Sequence, residues 1–384
     1  MKTRLESTTA SRLLRPLGLA TVALVASCGG TSNDAGSSPA TAPPGAPPVA
    51  APSCDPSAAR DIEVSGDDLN GFPPYAVSAC TLVYVNRSGV LVVRDLTSGA
   101  ETTLAPASEH PRRPAVSLEL IAWEADEGGH SVVRVRARGV VRTVPGTFAS
   151  SGEPRASGAS VAFTAWNGPA TTDDTDIWVY DAVAGESRVV LGGPGQQRFA
   201  DISSRYVVAS DFSEDPDGRL DNNERDIADV VVLDRASGAI TYRRLPGKQS
   251  FPILGDNDLL AYLEWAGIHP EPKLLSYELR TGDVLGNPAS DRTIARVEYA
   301  SSEYARPALA GSTLEWIANP DGITRLYRAP ADGSAAPAVV RGLEDLRLYA
   351  PAPTTSGSER GFTVLATARS GASDSVPRLR AVAR

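Results

Sequence analysis

Between Ser213 and Glu224 the chain reads SEDPDGRLDNNE. Counted from Ser213, side chains bearing oxygen fall at positions 1, 3, 5, 9 and 12, and a glycine falls at position 6. A hard divalent cation such as calcium takes roughly six to eight oxygens, one of them a backbone carbonyl, and needs a residue without Cβ where the loop turns sharply. That chemistry would use Ser213, Asp215, Asp217, Asp221 and Glu224 through their side chains and Arg219 through its carbonyl. Ser213 stands where a carboxylate is expected, and Pro216 restricts the backbone between two of the donors. Two readings follow: calcium shapes the loop, or the loop is an acidic, solvated segment without an ion.

Other chemistry is sparse. The three histidines, His110, His130 and His269, lack the spacing of zinc ligands. The chain contains no G-x-S-x-G nucleophile elbow, no P-loop and no dinucleotide-binding glycine pattern, so no catalytic or cofactor-binding residue is assigned. Trp123, Trp166, Trp265 and Trp316 lie on or at the ends of apolar runs, where sheet packing competes with ligand stacking.

The net charge is −9, and the first 27 residues carry +3, leaving −12 for the rest. Arginines are scattered among more numerous carboxylates, which disfavours nucleic acid as a partner. The N-terminus has a basic region up to Arg15, the apolar run LGLATVALVAS (17–27), and then Cys28. The run is too short to span a bilayer, and it reads as a signal peptide. Residues 28–58 are rich in Pro, Ala, Gly and Ser, a composition that cannot bury enough apolar surface to order itself, and read as a tether. The folded domain is expected over 59–384. Cys54 and Cys80 would sit in an oxidising compartment after export, either as a disulfide or as two thiols.

The elements that must position any site are short strands. Runs of Val, Ile, Leu, Tyr, Trp and Ala alternate with Gly, Pro, Asp and Ser, and no long amphipathic helix pattern interrupts them. One strand type occurs seven times: LVYV (82–85), LIAWEA (120–125), VAFTAW (161–166), YVVASDF (206–212), LLAYLEW (259–265), LEWIA (314–318) and FTVLATA (362–368). Each follows a small segment that usually opens on Pro, as at Pro74, Pro114, Pro154, Pro252, Pro307 and Pro351. Each of the first six is followed by a hairpin with Gly at its turn: Asp95 to Gly99, Val135 to Gly139, Asp181 to Gly185, Asp234 to Gly238, Glu278 to Gly282 and Ala329 to Gly333. Successive glycines are 40 to 53 residues apart, the length of one four-stranded propeller blade. The pattern predicts an all-β, seven-bladed β-propeller, with six or eight blades as the alternative counts. The last copy is one strand short, and the segment RDIEVS (60–65), which precedes the first copy, is predicted to complete the last blade and close the ring.

Three resemblances follow from these residues. The strand pairs DIWVYDAVAGE (176–186), DVVVLDRASGA (229–239), KLLSYELRTGD (273–283) and VLVVRDLTSGAE (90–101) resemble those of the bacterial TolB-like, or WD40-like, class of β-propellers. Val25-Ala26-Ser27-Cys28 resembles a bacterial lipobox, which implies lipidation of Cys28; an ordinary cleaved secretory peptide is the other reading. Gly29 after that cysteine implies an outer-membrane destination, facing the periplasm or the cell surface. SEDPDGRLDNNE resembles the EF-hand calcium loop and the calcium loops of integrin propellers.

Insertions between second and third strands, at 167–175, 213–228 and 266–272, fall on one face of such a ring in blades three to five. Loops carry function more often than the scaffold, which makes this face the expected working surface. The expected function is a monomeric, non-catalytic scaffold binding an envelope protein, peptide or glycan. The alternative is a propeller lyase or glycoside hydrolase with carboxylates converging in the central funnel.

Overall fold

The computed structural model describes residues 54–69, 71–168, 174–216, 218, 227–255, 257–265, 275–299, 306–319, 321–344, 346–353, 361–369 and 376–384. Among these, seven four-stranded antiparallel sheets follow one another along the chain as the blades of a β-propeller. In blade 1 the strands are Tyr75–Ser78, Thr81–Val85, Leu91–Asp95 and Glu101–Ala105, running from the central channel outward. The second strands of the other blades are Leu120–Glu127, Ser160–Trp166, Tyr206–Asp211, Leu259–Trp265, Thr313–Ala318 and Phe362–Arg369, in register with the seven apolar runs.

These second strands are buried on both faces because each blade is sandwiched between two others. Tyr206–Asp211 is buried at all six positions, and alternate residues serve different interfaces. Val207 and Ala209 pack with Ile177 and Val179 of blade 3, whereas Tyr206 and Val208 pack with Leu260 and Tyr262 of blade 5. Continuous hydrophobicity, in place of alternation, is what this double packing requires.

The Asp–Gly hairpins close as expected. The Asp181 carboxylate accepts from the Val183 N–H at 2.8 Å, its carbonyl accepts from Gly185 N–H at 2.7 Å, and Gly185 has a φ of +75°. Blade 5 differs. Its third strand, Leu275–Asp283, runs through Gly282, which pairs with Leu260, and the turn comes later, where Gly286 N–H donates to the Asp283 carbonyl. Gly282 is needed for a different reason: a Cβ there would lie 1.9 Å from Oδ1 of Asp291.

Blade 7 has a divided inner strand, Leu346–Leu348 and Ala352–Pro353, then Phe362–Arg369 and Arg378–Ala383. Its outer position is filled by the N-terminal segment. Asp61 N–H donates to the Leu379 carbonyl at 2.9 Å, Leu379 N–H returns to Ile62 at 2.9 Å, and Val64 N–H donates to Pro377 at 3.0 Å. Ser65 N–H then donates to Val85 of blade 1, so the segment ties the seventh blade to the first. Cys54 is bonded to Cys80 with a Cα–Cα distance of 5.1 Å, and Asp55 N–H donates to Leu96. Described contacts therefore begin at Cys54, within the last residues of the stretch read as a tether.

Candidate functional site

The inner strands of blades 2 to 5 each carry a bulge, seen as a register shift against the second strand. At each bulge one residue adopts the left-handed region: Arg113, Glu153, Phe199 and Phe251, with φ between 51° and 57°. Three of the four precede proline, at Pro114, Pro154 and Pro252. Bulges re-aim side chains, and these four take part in the contacts that fill the channel. Phe199 stacks on Phe251 with centroids 4.2 Å apart and on Phe72 at 6.1 Å. Phe72 comes from the segment between the closing strand and blade 1, and three guanidiniums lie on its ring: Arg113, Arg155 and Arg306, at 5.1, 5.3 and 5.5 Å from the centroid.

The three arginines differ in their partners. Arg113 pairs with Asp68 at 3.0 Å and with Glu124 at 3.3 Å, and those carboxylates, with Glu153, raise its pKa against the effect of burial. Glu153 is itself buried, which alone would raise it. Its pairing with Arg198, helped by Arg113 and the Thr164 hydroxyl, holds it below the usual carboxylate range. Burial raises Asp68 although Arg113 pulls the other way. Glu124 also accepts from Arg112, which continues through Asp126 to His110 at 3.1 Å.

Arg155 and Arg306 have no such partners among the described residues. Arg306 is 4% exposed and donates through Nη2 to the carbonyls of Phe199, Ala200 and Pro252, while its Nε and Nη1 make no hydrogen bond. Burial, then repulsion from Arg155, lowers its pKa to about 9, so it remains charged at neutral pH. Burial also lowers Arg155, against Asp201 and Glu153. Both line a recess of about 430 Å³ formed by the inner strands of all seven blades and the turns that follow them. Those turns lie at the opposite end of the ring from the second-to-third-strand connections. The recess therefore opens away from the inserted loops.

At the inserted loop of blade 4, Ser213 and Asp215 are described, whereas Asp217, Arg219, Asp221 and Glu224 lie outside the described residues. Ser213 donates its N–H and hydroxyl to Asp211, and Asp215 accepts the Ile227 N–H at 2.7 Å, which closes the base of the loop. Beside it, Asp229 is 6% exposed and pairs with Arg244 at 2.9 Å; burial outweighs Arg244 and raises its pKa to about 6. Among the described residues no group of three acidic, His or Cys side chains is placed to hold a metal. Cys28 and His269 are outside the described residues, and His130 is exposed. Trp123 and Trp316 are blade core, while partly buried Trp265 and Trp166 carry Lys248 at 5.4 Å and Arg198 at 6.0 Å.

The sequence reading missed Phe72, Arg155 and Arg306. The available signal was position: Arg113, Glu153, Phe251 and Arg306 each stand immediately before a blade-opening proline, and Arg155 immediately after one.

No protein-family model and no curated protein matches the sequence. Solved structures do match. The β-propeller domain of the Trilobed protease from Pyrococcus furiosus aligns with a TM-score of 0.55 and 11% identity, over 85% of this chain and 95% of that one. Pyrococcus horikoshii acylaminoacyl peptidase aligns with a TM-score of 0.52 and 11% identity, over 86% and 53%. TolB from Acinetobacter baumannii aligns at 0.44 and 12%, over 71% of this chain and 61% of its own length. At these identities the likeness shows the fold alone, a β-propeller with TolB-like structures among its neighbours.

Proposed function

We propose that this propeller is a lipid-anchored scaffold of the cell envelope that binds a protein, peptide or glycan through the face carrying its inserted loops, without transforming it. One observation carries the choice of face. The far end of each of the first two insertions is tied to the next blade by a parallel bridge, Thr175 to Gln196 and Ala228 to Lys248. Gln196 N–H also reaches back to the Gly218 carbonyl at 2.8 Å. The loop bases of blades 3 to 5 are thereby joined into one platform, the kind of composite loop surface on which propellers build recognition. Calcium, if held by Ser213, Asp215, Asp217, Asp221, Glu224 and the Arg219 carbonyl, would serve this face by shaping the longest loop. The anchor would be Cys28, with the chain monomeric and on the outer membrane.

The test is a crosslinking pull-down from envelope extracts with the full chain and with a version lacking residues 219–226. A partner captured by the first and lost from the second supports the reading. Equal recovery of every partner removes this face. For the anchor, Cys28→Ser should move the protein from the membrane fraction to the soluble one, and retention in the membrane would overturn lipidation.

A further inference from the structure

We propose that the central recess is a separate binding site for a small ligand bearing one oxyanion group, a carboxylate or phosphate, held by Arg155 and Arg306.

The argument rests on unmet donors. Arg306 is nearly fully buried and uses only Nη2, leaving Nε and Nη1 without an acceptor among the described residues. Arg155 makes no hydrogen bond or ion pair among the described residues and shares the Phe72 ring with Arg306. Asp201 and Glu153 lie near enough to act on both guanidiniums but pair directly with neither among the described residues, which is costly in a desolvated place, whereas Arg113 on the same ring has carboxylates bound to it. A planar oxyanion offers the acceptors that these planar forks lack, through charge-assisted hydrogen bonds. The recess, at about 430 Å³, lies in the range of small-molecule sites.

Its other charges limit the ligand. Asp201 lines the recess and accepts the Leu254 N–H at 2.8 Å, and Glu119 lies among the turns that line it. These carboxylates oppose a polyanion and leave room for one negative group met by two cations. Backbone and small side chains such as Ser157, Gly158, Ala308 and Gly311 form much of the wall, which suits an organic body behind the oxyanion.

Isothermal titration of the full chain with acetate, benzoate, inorganic phosphate and phenyl phosphate tests the site, with benzamide as the uncharged match to benzoate. Saturable one-to-one binding of a carboxylate or a phosphate is expected, with benzamide silent; the panel shows which oxyanion is preferred. Arg155→Gln, which removes no hydrogen bond of the fold, should weaken binding about tenfold or more, the worth of a charge-assisted hydrogen bond. Asp201→Asn keeps the acceptor for Leu254 and should tighten binding, a direction that mere loosening of the fold would not produce. Deleting residues 219–226 should leave it unchanged, which separates this site from the loop face. Absence of saturable anion binding, equal binding of benzamide, or an affinity insensitive to both Arg155→Gln and Asp201→Asn would overturn the proposal.

Discussion

Arg243 and Asp291 form an ion pair between blades 4 and 5 in which each side chain is only 2% exposed. Arg243 also donates to the carbonyls of Asp283, Val284 and Gly286, and Tyr262 donates to Asp291 at 2.8 Å. The pair is affordable in the interior because its remaining hydrogen-bonding capacity is largely taken up. Asp291→Ala would strand a buried cation and is expected to cost about 3–5 kcal/mol in urea unfolding. Gly282→Ala should damage the same pair through its Cβ, since that atom would overlap Asp291. Asp321→Ala should change the midpoint little: Arg325 holds Asp321 down to about 2, but the pair is at the surface and screened. A similar loss in the Asp291 and Asp321 variants would show that burial does not set the strength of these pairs.

Closure of the ring depends on residues 61–65, and the Cys54–Cys80 bond holds the chain leading into them. The bond spans 26 residues, and loop-closure entropy gives about 3.5 kcal/mol for such a link. Cys80→Ala should lower stability by roughly that amount. Removing the chain up to Ser65 should expose the edge of blade 7 at Pro377 and Leu379, so that hydrogen exchange at Leu379 speeds up while Val231 in blade 4 stays protected. Uniform acceleration in every blade would mean that the segment stabilises the ring globally and does not act as a local latch.

The repeat was legible because one physical demand recurs seven times: a second strand buried on both faces must be apolar over most of its length, as the YVVA of Tyr206–Asp211 and the LLAYL of Leu259–Trp265 are. The closing strand was legible from the shortfall in the last copy. Gly282 misled because a glycine serves a turn or a close approach equally well, and only the fold reveals Asp291 against it. The channel was hidden for a related reason. Phe72 lies outside the repeat, and the guanidiniums of Arg155 and Arg306 belong to blades 3 and 6, far apart in sequence, so their meeting on one ring follows from closure and from no local pattern.

Asp229 supplies a pH dependence. Its pKa is raised from an ordinary 3.8 to about 6, chiefly by burial. An acid whose folded-state pKa is raised binds its proton more tightly when folded, so its contribution is fully favourable below pH 3.8 and is lost as pH rises through about 6. The contribution from Asp229 should therefore grow as pH falls from 7 to 5. Asp229→Asn keeps an acceptor for Arg244 and should flatten that part of the profile, with its largest gain over wild type at pH 7. Parallel wild-type and variant profiles between pH 7 and 5 would refute the assignment.

Phe72 joins two roles that substitutions can separate. It is 6% exposed, stacks on Phe199 and lies under three guanidiniums. Phe72→Ala removes the packed ring and leaves a cavity in the channel, a loss of about 3–5 kcal/mol. Phe72→Leu retains much of the volume but not the π face, so its cost should reflect the cations, about 0.5–2 kcal/mol depending on how far they are desolvated. If the ring matters as a seat for cations, Phe72→Leu should also weaken anion binding in the recess by freeing Arg155 and Arg306 from a fixed position, while its melting temperature falls by less than that of Phe72→Ala. Loss of stability in Phe72→Leu equal to that in Phe72→Ala, with oxyanion affinity intact, would mean that the ring acts by packing alone.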